Sequence, residues 1–154
     1  MRQTVENQDF SLRESLEEVV KGLGFSLVEL TAVRHRGSAQ IRAVIFRQGK
    51  GIGTDDCSKV HRAITPRLEL AFPGSVISLE VSSPGINRLL KDSSEFYYYI
   101  GCKIRCYRTD ITEWTEGFLE AVDEKGIDVK TIDGIIRLDF DIIAKARLDS
   151  LQEV

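Results

Sequence analysis

The chain has 154 residues, 42% of them hydrophobic and 29% charged, with a formal net charge of -3. This composition suits one ordinary folded domain or two small ones and sets disorder aside as the default. No run approaches the roughly eighteen apolar residues of a membrane span, and the polar start MRQTVENQDF lacks the apolar segment of a signal peptide, so a cytoplasmic location is expected. The three cysteines, Cys57, Cys102 and Cys106, form no CxxC and suggest neither a disulfide framework nor a zinc site. Through residue 91 there are 13 Lys and Arg against 10 Asp and Glu, and after it 8 against 14. That asymmetry argues against uniform wrapping by nucleic acid and points any RNA contact to the first half, leaving an acidic second half for a basic protein.

From Phe10 to Leu23 the apolar residues Leu12, Leu16, Val19, Val20 and Leu23 recur at helical spacing, with Ser11 or Asp9 as cap and Gly22 or Gly24 at the end. Phe25 to Val33 and Ala39 to Phe46 read as two strands joined by the turn His35-Arg36-Gly37-Ser38. This hairpin is the most basic stretch of the chain. From Arg34 to Lys50 the chain carries Arg34, Arg36, Arg42, Arg47 and Lys50 together with His35 and no carboxylate, so this interval is the best candidate for meeting backbone phosphates. The plainer alternative is a solvated hairpin whose cationic edges resist strand-to-strand aggregation.

Gly49 to Gly53 contains three glycines but no GKS or GKT, and Asp55 and Asp56 would repel a nucleotide phosphate, so the loop is read as a connection and Thr54 as a helix cap. The helix continues through Cys57, Val60, Ile64 and Leu68. Cys57 falls on its apolar face and His61 on its surface, and Pro66 is expected to kink or end it near Ile64. Ala71-Phe72-Pro73-Gly74 then turns the chain into Val76 to Ser82, where Ile77, Leu79 and Val81 alternate with Ser78, Glu80 and Ser82 as in a half-buried strand. That strand stops at Ser83-Pro84-Gly85, a bend in which Gly85 permits the positive φ of a type II turn. The bend presents Ser82, Ser83, Arg88 and Lys91 beside apolar residues.

A short helix from about Ser93 to Ile100 carries Phe96, Tyr99 and Ile100 inward and leaves Tyr97 and Tyr98 open. Short strands follow at Lys103 to Arg108, Trp114 to Val122, Ile127 to Thr131 and Ile135 to Leu138, then one helical turn at Phe140 to Ile143 and a closing strand at Lys145 to Leu148. Their tight turns suggest a small closed barrel, SH3-like or Sm-like. The expected fold is therefore α+β: a two-helix, three-strand layer over residues 1-91, then an all-β barrel with a short leading helix over residues 92-154.

The run LEVSSPGINRLLK, followed by EFYYYIG, resembles the central signature of the bacterial ribosome maturation factor RimP family. The opening Gly22-Leu23-Gly24-Phe25, the stretch GIGTDDC from Gly51 to Cys57 and IAKARL from Ile143 to Leu148 agree in order, so the resemblance covers nearly the whole chain. It implies the same two-part fold and a monomeric, non-catalytic factor that binds the immature small ribosomal subunit, with no cofactor and no metal. The residues expected to meet rRNA or the subunit are Arg34, Arg36, Arg42, Arg47, Lys50, Ser82, Ser83, Arg88 and Lys91, with Pro84 and Gly85 as the structural turn. The acidic barrel would meet a basic small-subunit protein. An enzyme finds little raw material here: Ser82 and Ser83 form no GxSxG elbow, and His35 and His61 have no favoured partners. The alternative from another class is a protein-binding adaptor using an aromatic groove at Tyr107, Trp114 and Phe118. A lone tryptophan in so small a barrel is otherwise expected in the core.

Overall fold

The computed structural model describes residues 6-49, 51-85 and 88-150, apart from the side chains of residues 6-10 and 150. Two compact units divide the chain. One takes the residues up to Arg47 and from Ile52 to Pro84; the other takes Gln48–Gly51 and the residues from Gly85 onward.

In the first unit, helix α1 (Glu6–Gly22) and helix α2 (Thr54–Ala71) pack on a three-stranded sheet of β1 (Ser26–His35), β2 (Ser38–Phe46) and β3 (Val76–Ser82). The sheet order is β1-β2-β3, with β1 antiparallel and β3 parallel to the central β2. Leu16 and Val20 of α1, Val60, Ile64 and Leu68 of α2, and Ala39, Ile41, Ala43 and Ile45 of β2 form the core with Phe25, Leu27 and Phe72. Residues of one parity on β2 thus point to the helices, as the period of two requires. The His35–Ser38 pair closes the hairpin around Arg36 and Gly37, and Gly37 takes the turn's positive φ of 71°.

Helix α2 departs from expectation at both ends. It does not stop near Ile64: it runs through Pro66 to Ala71. Pro66 lies exposed while Ile64 and Leu68 on either side of it are fully buried, and that burial offsets the lost hydrogen bond of about 3 kcal/mol. The cap is Gly53 instead of Thr54. Gly53 N donates to Asp56 Oδ2 at 3.0 Å, so the acidic first turn closes back on the chain.

The second unit contains a 3-10 helix at Ser93–Tyr99, whose first turn is capped by Asp92 accepting from Ser94 N. It continues with strands β4 (Lys103–Arg108), β5 (Glu113–Val122), β6 (Gly126–Thr131), β7 (Gly134–Asp139) and β8 (Ile143–Ser150). Their order is β7-β6-β5-β4-β8, antiparallel at each step. Pairing does not return from β8 to β7, so the expected closed barrel is a five-stranded sheet with two edges. The outer edge of β8 is partly covered: Leu89 bridges Arg147, and Leu90 N donates to Ala146 O at 2.9 Å. Phe96, Tyr99, Cys102, Ile104, Cys106, Leu119, Ile127, Val129, Leu138, Ala146 and Leu148 are buried, with Tyr97 left 49% exposed. Gly117 on β5 is obligatory, because a Cβ there would lie 2.5 Å from Lys130 O and 2.6 Å from Val129 Cγ1.

Candidate functional site

The hairpin β1-β2 places its cations unequally. Every residue from Thr31 to Gly37 is exposed, including Arg34, His35 and Arg36, so the tip of the hairpin runs clear of the core. Arg34 pairs in register with buried Ala39 and lies over the Phe72 ring at 5.0 Å, on the helix side of the sheet. Arg42 stands on the opposite face, flanked in register by Thr31 and Glu80. Both faces of the hairpin therefore carry a cation, joined at the tip by Arg36. None of these three arginines makes an ion pair among the described residues.

The remaining expected residues are dispersed. Arg47 is drawn inward: its Nη2 lies 3.2 Å from Asp56 Oδ2 and its guanidinium stacks 5.0 Å over Phe25. It clamps the start of α2 to β2 and is a poor phosphate ligand as placed. Lys50 lies outside the described residues, as do Ile86 and Asn87. Ser82 Oγ is buried without a hydrogen-bond partner, Ser83 is half-buried, Pro84 is buried, and Lys91 is exposed. Gly85 does not take the positive φ of a type II turn. Arg88 N donates to Gly85 O at 3.1 Å.

Arg88 faces the interior of the second unit. Its Nη2 lies 2.6 Å from Glu95 Oε1, and Lys91 N donates to Glu95 Oε2 at 2.9 Å. The segment 88-91 is thereby fastened to the 3-10 helix. Burial holds the nearby Tyr99 phenol above its ordinary range, with the Arg88 charge opposing that shift. A cation at this position reads in the sequence as available, because its partner lies seven residues away through an irregular bend that no helical or strand spacing announces.

The outer face of β4, β5 and β8 holds the aromatic residues of the alternative groove, Tyr107, Trp114 and Phe118, together with cations. Tyr107 pairs with Trp114 on one side and Lys145 on the other, and Arg105 pairs with Glu116 and Arg147. Trp114 is 45% exposed, contrary to the core position expected of it. The signal was present: Trp114 shares parity with Glu116, while Gly117 and Leu119 of the opposite parity point inward. Phe118, also on the outer side, is half-buried beside Lys103 and lines a groove of about 630 Å³ with Ile132 and Lys130.

At the far edge of the same sheet, Arg137 sits among three carboxylates, 2.6 Å from Asp123, 3.4 Å from Asp128 and 3.4 Å from Asp139. The guanidinium beside Asp123 and the N–H groups of Lys125 and Gly126 hold that carboxyl well below its usual range. Among the described residues no group of three or more His, Cys, Asp or Glu is placed to hold a metal ion, and no helix is long and apolar enough to cross a membrane.

Comparison with known proteins adds two findings. The family described as the RimP N-terminal domain matches residues 15–87. The chain is 29% identical over 133 residues to proteins named Ribosome maturation factor RimP from Borrelia hermsii, Borrelia turicatae and Borrelia recurrentis, each match covering 86% of this chain and 90% of the relative.

Proposed function

We propose that the chain is a RimP-family protein that serves ribosome maturation by binding the immature small ribosomal subunit in the cytoplasm, as a monomer and without catalysis. One observation carries the location of the contact. The hairpin tip from Thr31 to Gly37 is exposed throughout and bears Arg34 and Arg36 with no ion-pair partner among the described residues. The rRNA-contacting set is accordingly Arg34, Arg36 and Arg42. Arg47 and Arg88 act as internal fasteners, and Ser83 and Lys91 remain as contacts near the bend. The acidic edge of the second unit, from Asp123 to Asp139, is the surface for a basic ribosomal protein.

The mechanism is differential affinity. A factor that binds one conformer of the assembling subunit better than another shifts the population by that difference alone, and it leaves when maturation removes the difference. Density-gradient sedimentation tests the reading. The protein should migrate with free small subunits, less so as salt rises, and Arg36→Glu with Arg42→Glu should release it to the top of the gradient while leaving its unfolding midpoint nearly unchanged. Unchanged sedimentation of that variant would remove the hairpin from the contact. The alternative of a protein-binding adaptor is favoured by the exposure of Trp114; a single non-ribosomal partner recovered after RNase treatment, with no subunit co-migration, would establish it.

A further inference from the structure

The second unit is acidic as a whole, yet its cations are not spread evenly. On the outer face of β4 and β8, Lys103, Arg105, Lys145 and Arg147 gather around Trp114 and Tyr107, and among the described residues the carboxylates Glu116 and Asp149 pair with Lys103 and Arg105 there. The aromatic pair is itself ordered. Tyr107 meets Trp114 edge to face with centroids 5.4 Å apart, and the Arg105 guanidinium lies 5.6 Å from the Trp114 centroid. Asp149 Oδ1 lies 3.4 Å from Arg105 Nε, an ion pair beside the ring.

We propose that Trp114 is a stacking platform for an unpaired RNA base, with the exposed Lys145 placed to meet the adjoining phosphate. A flat aromatic surface bordered by cations matches a flexible polyanion whose bases have free π faces. Tyr107 buttresses the indole from the side, so the platform is rigid before the base arrives. The rows beside the aromatic pair are filled by cations, which suits a polyanionic strand and makes a protein partner the competing outcome of the test. The inference deepens the proposed function by giving the second unit an RNA contact of its own, and it rests on that reading only for the source of the strand.

Trp114 is the one tryptophan of the chain, so tryptophan fluorescence, excited on the red side of the tyrosine band, reports this site alone. Titration of the full chain with a decauridylate RNA should quench it saturably. Trp114→Leu should weaken binding of the same end-labelled oligomer about 5- to 150-fold, Trp114→Phe should largely preserve it, and Lys145→Ala should lower the salt slope by about 0.7. Absence of quenching, equal affinity of Trp114→Leu and wild type, or equal quenching by an oligoglutamate peptide of the same charge would overturn the platform. Lys145→Ala and Trp114→Phe keep the test decisive if Trp114→Leu folds poorly. The two readings separate cleanly. Co-sedimentation with small subunits without quenching overturns the platform alone, and quenching without co-sedimentation supports the platform and overturns the subunit reading.

Discussion

Arg88 Nη2 and Glu95 Oε1 are 2.6 Å apart, with 13% and 11% of their side chains exposed. Breaking so enclosed a pair from one side leaves a charge without its counterion, at a cost of about 3–5 kcal/mol. Glu95→Ala should therefore lower stability in urea denaturation by that order, and Arg88→Met with Glu95→Leu should lose much less than the sum of the single changes. Additive losses would show that the pair contributes little.

The Asp123 carboxyl gives a pH signature. Its folded pKa is depressed by Arg137 and by two backbone N–H groups, so its stabilising effect is present above the unfolded pKa of about 3.9 and is lost as pH falls through the lower folded value. Asp123→Asn should be less stable than wild type at neutral pH, and the gap should close on acidification below about pH 4. Chemical denaturation at neutral and acid pH measures both limbs; a gap that persists at acid pH contradicts the assignment.

Pro66 sits exposed in the middle of α2, where its missing N–H leaves the Arg62 carbonyl short of its helical donor. Pro66→Ala should restore that bond. After allowing for the greater freedom of the unfolded chain, the gain should be about 1–2 kcal/mol, seen as a higher urea midpoint with the same slope. A loss of stability would mean that the proline ring itself is needed on the helix surface.

Burial pushes the Cys106 thiol up to about 12 and also raises that of Cys57, aided by the Asp56 charge. Both remain protonated at neutral pH, and Cys102 and Cys106 are enclosed as well. A thiol reagent should modify only Cys57 in the native protein, slowly, and the other two after denaturation. Rapid native labelling of Cys106 would contradict the packing of β4.

Much of this architecture was legible because local period and tertiary burial agree. The alternation from Val76 to Ser82 marked β3 with its true ends, and the turns Asp123-Glu124-Lys125-Gly126 and Ile132-Asp133-Gly134 divided β5, β6 and β7. The sequence misled where tertiary packing outweighed a local rule. Pro66 signals a helix end only when no buried Leu68 lies beyond it. Turn signals mark strands but carry no information on whether the first and last of them meet, and β7 and β8 do not. For the site, exposure of Arg36 follows from its place in a two-residue turn. The inward course of Arg47 and Arg88 depends on Asp56 and Glu95, whose approach is fixed by helix capping and by an irregular bend.

The parallel partnership of β2 and β3, bridged by α2, also orders events during synthesis. Antiparallel β1 and β2 can zip as soon as both exist, but the free side of β2 has no neighbour until Val76–Ser82 has been made. For that interval Ala39, Ile41 and Ala43 lie along an unpaired strand margin, a template for joining another nascent chain. Completion of β3 closes that margin, and a chain stalled within α2 would leave it open.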